Sequence, residues 1–369
     1  MSGFDYNIVE EAAKELYIRA LCDLPPDVRD ALQKAYEKET QPAAKEVFKA
    51  MFKTIEIADW QKTLICQDTG LPIYMVKMGA DFPWSGFDVK EKLATGARRA
   101  TLEFPFRGSS THPLTRVNPQ TSVGKGLPVI YFDYVKDTDC LEILMAPKGA
   151  GSENMSTMKM FYPAHGVGAL KKFVVDAVFE SGANPCPPGV IGVGIGGTSD
   201  LVMKLAKEAI VRPIGQRNED PEVARMEVEL EEAINMMGRG PMGLGGDIST
   251  LAVHIETAYT HITQNPVAVN TQCWPARRAR ATITPDGGGD IRLLKTGGIS
   301  HGGAPSTDPI FRRGDQATAC RGYRLFQRYS LRDQGPDPDL HVRSESHASC
   351  ESGGNAMYPY GAKSTQGWR

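Results

Sequence analysis

The chain has 369 residues, 41% of them apolar, with 42 basic and 44 acidic side chains and a net charge of −2. That length supports two ordinary domains or one large one, and the balanced charge excludes a dedicated nucleic-acid binder or a protein held on an anionic membrane. No apolar run reaches the roughly 20 residues of a transmembrane helix, and residues 1–15 are too mixed and acidic for a targeting leader, so the cytoplasm is the expected compartment.

Apolar residues first recur at helical spacing, at Ile8, Ala12, Leu16 and Ala20, then at Ala44, Val47, Met51 and Ile55, which predicts two or three amphipathic helices. Runs rich in Val, Ile, Tyr and Phe follow at 73–77, 128–135 and 141–145 and start a mixed sheet. A helix is expected over 164–179, carried by Val167, Leu170, Val174 and Val178. The run 190–195 reads as a strand buried on both faces. Helix 200–210 comes next, with Thr198 or Ser199 placed to cap it. A further helix over 221–237 has one stripe, Val223, Met226, Leu230, Ile234 and Met237, and Gly238 as its stop. Strands at 251–255, 267–271 and 280–284 complete the pattern. The fold class is therefore α/β in the mixed α+β sense, with N-terminal helices followed by a mixed sheet flanked by helices, over residues 1–285. Past Pro285 the composition turns to Gly, Ser, Arg and Asp with no sustained apolar period, which predicts a poorly ordered, irregular tail at 286–369.

Seven cysteines, Cys22, Cys66, Cys140, Cys186, Cys273, Cys320 and Cys350, are an odd number scattered over a long chain, so a disulfide framework is not expected. Cys320 and Cys350 fall in the unpatterned tail and receive no role. Three of the others stand beside turn formers: Cys66 in Ile-Cys-Gln-Asp-Thr-Gly-Leu-Pro, Cys186 in Asn-Pro-Cys-Pro-Pro-Gly, and Cys273 in Thr-Gln-Cys-Trp-Pro-Ala-Arg-Arg. Rigid turns of this kind fix a sulfur's direction and offer backbone N–H groups to it, as metal-ligating thiolates need. Buried packing thiols are the alternative, and the long spacings match no local zinc or ferredoxin pattern.

The segments 65–72, 146–154, 186–189, 192–198 and 261–278 together resemble the α portion of the class I, iron–sulfur-dependent fumarases and L-tartrate dehydratases, over residues 5–285. The resemblance implies a [4Fe-4S] cluster held by Cys66, Cys186 and Cys273, with a fourth iron left open to substrate. It also implies a hydro-lyase acting on a small dicarboxylate, fumarate to malate being favoured, with L-tartrate or mesaconate as alternatives. An iron with an open site is a Lewis acid for a carboxylate and a hydroxyl. Gln67 matches a substrate contact and Asp68 a proton donor, although an Asp before Thr69 and Gly70 also suits a simple turn. Arg107 matches an arginine that binds a substrate carboxylate through both oxygens, with Arg116 as the competing assignment. Gly149, Ala150 and Gly151 match a substrate-contacting glycine loop, and His261 a histidine near the active site. His254, inside a β-like run, reads as structural.

The family's catalytic base and further carboxylate-binding residues belong to a β portion with no counterpart here. The resemblance therefore implies a separate β subunit and a hetero-oligomer that is active only when both are present. Two readings of other classes compete: a non-catalytic iron–sulfur sensor, which would not need Gln67, Asp68 and Arg107, and a nucleotide-binding dehydrogenase, resting on the glycines of 192–198 alone.

Overall fold

Three helices, α1 (Asn7–Cys22), α2 (Pro26–Lys38) and α3 (Pro42–Gln61), open the chain in a computed structural model that describes residues 6–83, 85–285 and 289–292. Pro26 and Pro42 begin α2 and α3, where a missing N–H costs nothing and the fixed φ is already helical. A further helix, α4 (Gly86–Glu103), has no counterpart among the predicted elements. Its buried face consists largely of small residues, Gly96, Ala97 and Ala100 beside Val89 and Leu93, so its apolar period is faint in sequence. The same small residues let it touch α1 backbone to backbone: a Cβ at Gly96 would run into the carbonyl oxygen of Glu10.

The strands form two sheets instead of one. The first comprises β1 (Leu71–Gly79), β2 (Val129–Val135), β3 (Leu141–Lys148), β8 (Ala279–Ile283) and β9 (Gly289–Arg292), in the order β2-β1-β3-β8-β9. Only its β1–β2 pair is parallel. Helices α1 and α4 cover it through a core that includes Leu16, Tyr17, Leu93, Tyr74 and Ile143. Strand β9 lies past Pro285, so the ordered sheet extends beyond the composition change. The rest of 286–369, with Cys320 and Cys350, lies outside the described residues.

The second sheet holds β4 (Thr157–Phe161), β5 (Gly189–Gly196), β6 (Thr250–Ala258) and β7 (Asn265–Thr271), ordered β4-β7-β5-β6, with β5 and β6 parallel. Helices α6 (Gly166–Ser181) and α8 (Pro221–Asn235) pack on Ile191, Val193, Val253 and Val269. Because side chains alternate along a strand, Gly192 and Gly194 face the other way, against α7 (Ser199–Ala209). A Cβ at either would strike α7 backbone, at Ala206 or Val202. Gly192 and Gly194 sit inside a strand to admit a close helix, which takes two glycines away from the dehydrogenase reading and leaves Gly196 and Gly197 at the turn before α7. Strand β5 is buried on both faces, as its uninterrupted apolar and glycine run implies.

The two sheets are joined by residues 272–278, which leave β7 of the second and enter β8 of the first. Asp27 at the start of α2 clamps this connection: its Oδ2 accepts the Ile214 N–H at 2.8 Å and pairs with Arg278, both side chains being fully buried. No helix among the described residues is long and apolar enough to cross a membrane.

Candidate active site

The turn after α3 carries Cys66 into the start of β1. There the Asp68 N–H donates to Cys66 Sγ at 3.4 Å, and Asp68 Oδ1 accepts the Gly70 N–H at 2.9 Å. This is the Asp-initiated turn that the sequence allows, but the side chain does more than turn the chain. Its other oxygen, Oδ2, accepts the Ala150 N–H at 2.8 Å, which couples the cysteine turn to the glycine loop. Gly70 has φ +65°, and a Cβ there would lie 2.8 Å from the backbone of Pro147 and Lys148, so only glycine lets β1 leave the turn beside the end of β3.

The glycine loop leads into the one-turn helix α5 (Ala150–Glu153). A Cβ at Gly149 would meet Asp68 Oδ2, and one at Gly151 would meet the carbonyl oxygen of Asn184 in the Cys186 turn. The loop therefore touches two of the three cysteine turns, and its two glycines are required by those contacts. Ala150 is exposed.

Cys186 stands at φ +55° in its Pro-rich turn, with its N–H donating to Ala183 O at 2.9 Å. Its carbonyl accepts the Trp274 N–H at 3.0 Å, which joins it to the segment carrying Cys273. Gly189 closes the same junction, since a Cβ there would run into Gln272 O. All three cysteines are half-buried and free. Burial pushes the Cys186 thiol up, and Cys273, Cys66 and Asp68 add to that rise. Cys273 is also pushed up, chiefly by burial; Arg277 and Lys148 oppose the shift, and Cys66 and Asp68 reinforce it. The three sulfurs and the Asp68 carboxylate thus lie within electrostatic reach of one another, although Cys66 and Cys273 are more than two hundred positions apart.

Arg107 is tied to this centre through its backbone: Thr69 Oγ1 donates to Arg107 O at 2.9 Å and shares a hydrogen bond with Ser109 Oγ at 2.5 Å. Its guanidinium is exposed and has no partner among the described residues. Arg116 sits in a separate exposed turn, its N–H bonded to His112 O at 2.9 Å, with no hydrogen bond to the Cys66 turn. Gln67 is exposed beside Cys66.

His261 is not brought to the cysteines within this chain. It is exposed in the β6–β7 turn, where Nδ1 meets Thr263 Oγ1 at 2.8 Å, while Cys273 lies beyond the opposite end of β7. A strand of 7 residues separates two such points by roughly 20 Å. His254 is buried with Nδ1 at 3.1 Å from Ala209 O, the structural place expected of it.

Two charged residues were not singled out from the sequence. Lys148, 3% exposed, sends Nζ to Ser152 Oγ at 2.6 Å and lies 3.4 Å from Glu153 Oε2, while Glu153 Oε1 pairs with Lys207. Burial pushes the Lys148 ammonium down to about 8, against the opposing pull of Glu153 and Cys273. Arg277, 1% exposed, donates from Nη1 to Asp68 O at 2.6 Å. The available signals were a lysine closing an apolar strand and an arginine pair four residues after a cysteine.

Among the described residues no group of three His, Cys, Asp or Glu closes around a single metal ion. A polynuclear cluster does not need that arrangement, because it holds its thiolates further apart than one ion does. Three convergent thiols, with backbone N–H groups and buried cations beside them, are a donor set of the kind such a cluster takes.

The profile of the fumarate hydratase (fumerase) family matches residues 10–282. A protein of Methanocaldococcus jannaschii, provisionally named L(+)-tartrate dehydratase subunit alpha, is 44% identical over 280 residues, 75% of this chain and 98% of that protein. The L(+)-tartrate dehydratase subunit alpha of Escherichia coli K12 is 34% identical over 263 residues, 71% of this chain and 86% of that protein. With three cysteine turns meeting around Asp68 and a family profile that covers the second sheet and most of the first, the chain belongs to the fumarate hydratase family and is a lyase of the hydro-lyase type.

Proposed function

We propose that this chain is the α subunit of a two-component hydro-lyase that adds water to, or removes it from, a small dicarboxylate, with a [4Fe-4S] cluster held by Cys66, Cys186 and Cys273. The observation that carries the reading is the convergence of those three turns on Asp68, with Gln67 and the unpaired Arg107 guanidinium exposed beside them. When bound, a cluster with three protein thiolates supplies a Lewis-acidic iron with an open position.

This chain's own residues supply the rest. The Arg107 guanidinium binds one substrate carboxylate through its planar fork, and Gln67 and the 149–151 loop fix the substrate's orientation. Each Asp68 oxygen accepts one backbone N–H and keeps a further lone pair, so the carboxyl can carry a proton at a fixed place and give it to the departing hydroxyl. His261 can reach such a site only from another chain of an assembly, because its own strand holds it away. The opposing base and the second carboxylate clamp are assigned to a β subunit, in keeping with relatives named as alpha subunits. Free thiols at all five described cysteines suit a reducing compartment, the cytoplasm.

Fumarate and malate are the substrate pair favoured from the sequence; L-tartrate is the second reading, favoured by the names of the relatives. The test is anaerobic reconstitution with iron and sulfide, followed by an iron count, a visible spectrum and turnover of fumarate, L-malate, mesaconate and L-tartrate with and without β subunit. About four irons per chain, a spectrum perturbed by substrate and activity only with β are expected. Single Cys66→Ser, Cys186→Ser and Cys273→Ser variants should lose the cluster, whereas Cys22→Ser, buried at the end of α1, should keep it. An intact cluster in any of the first three would remove that cysteine from the ligand set.

A further inference from the structure

Arg277 is a buried cation without a buried anion. Its neighbour Arg278 pairs with Asp27, and Lys148 has Glu153, but Arg277 makes no ion pair among the described residues. Nη1 is used on the carbonyl of Asp68, Nη2 lies near Gly149, and Nε is buried with no hydrogen-bond partner. Buried Nε atoms of Arg212, Arg239 and Arg278 also lack a partner among the described residues, so what sets Arg277 apart is a fully buried guanidinium with no carboxylate to pair with. The acidic groups around this guanidinium belong to the cysteine centre: the Asp68 turn that it grips, and Cys273, whose thiol it pulls down.

We propose that Arg277 is the counter-charge of the cysteine centre, its buried guanidinium held on the Asp68 carbonyl beside the thiols that take the cluster. The inference rests on the cluster reading above and deepens it. Three thiolates bring three negative charges to a half-buried place, and a guanidinium held from the Asp68 side offsets part of that charge. Hydrogen bonds and positive charge at cluster sulfurs raise the reduction potential and slow ligand loss. Arg277 is thus a positioning and charge-setting residue; it need not touch substrate.

The test uses the full chain, reconstituted anaerobically, as wild type, Arg277→Lys and Arg277→Gln. Iron per chain, the rate of iron release to a chelator and the reduction potential from an EPR-monitored titration are measured, with far-UV circular dichroism melts reporting the fold. Arg277→Gln should release iron about tenfold faster and be reduced at a more negative potential. Arg277→Lys keeps the charge but loses the planar guanidinium that grips the Asp68 carbonyl, and should fall between it and wild type. If Arg277→Gln does not fold, Arg277→Lys decides: a wild-type potential and release rate in that variant overturn the proposal. Wild-type behaviour in both variants overturns it as well. Failure of the wild-type chain itself to take up a cluster would instead overturn the cluster reading, and this inference with it.

Discussion

Asp68 shows how much one side chain can hold. Its two carboxylate oxygens take backbone N–H groups from two different loops, and its carbonyl takes the Arg277 guanidinium. In Asp68→Asn one of those N–H groups must face an amide NH2, a mismatch of roughly 1–2 kcal/mol. The cluster should survive in that variant while turnover of the reconstituted complex falls by a factor of about 10² to 10⁴, the usual weight of a general acid. Near-normal turnover would take Asp68 out of the proton chemistry. His254 makes a separate prediction, about stability. Burial first, then Arg212, pushes its pKa from 6.5 down to about 3, so the folded chain keeps it neutral where the unfolded chain takes a proton. Its contribution is complete above 6.5 and is lost as pH falls from there toward 3, at about 1.4 kcal/mol per pH unit. Denaturant unfolding of His254→Asn should show a shallower acid limb than wild type over that window. At this scale the turns that carry the three cysteines were legible because each has Pro or Gly within four residues, residues that fix a turn. Lys148 and Arg277 were not, because a charged residue in sequence looks the same whether it ends in solvent or under a thiol.

Strands and helices were legible where periodicity was strong and lost where small residues did the packing. α6, β5, α7 and α8 follow their apolar patterns to within a few residues. Helix α4 was invisible because Gly96, Ala97 and Ala100 carry little hydrophobic signal, and β4 because Thr157–Phe161 alternates with lysine and methionine at a sheet edge. The glycines of β5 left a minor second reading open, since a Gly-x-Gly pattern before a helix serves phosphate binding in one context and helix packing in another. Gly194→Ala distinguishes the two. Its Cβ would press on the α7 backbone, so unfolding should show a loss of about 1–3 kcal/mol. Equilibrium dialysis against a nicotinamide dinucleotide should show no binding before or after the change. His261 belongs to this scale too: its spacing from Cys273 was read correctly, but an extended strand converts those positions into distance.

For the whole molecule, the sequence pointed to a mixed α/β fold but not to two sheets, because strand pairing is a long-range choice that local patterns do not encode. The boundary near Pro285 was drawn on composition, and β9 crosses it. A chain ending at Arg292 should therefore melt higher than one ending at Pro285, which leaves the outer edge of β8 without its partner. Equal melting temperatures would make β9 dispensable. The connection at 272–278 is the seam on which the molecule depends. It delivers Cys273, grips the Asp68 turn through Arg277 and anchors α2 through Arg278.

That seam also sets an order in time. A chain emerging from the ribosome presents β1, β2 and β3 early, but β8 and β9, which complete their sheet, come last. The second sheet is made entirely in between, so the first must wait for the whole of the second to be synthesised. Cys66 is among the earliest of the key residues to appear and meets Cys273 only when synthesis of the two sheets is nearly over. Insertion of the proposed cluster would consequently follow translation, and the first sheet stays half-built while the second is made.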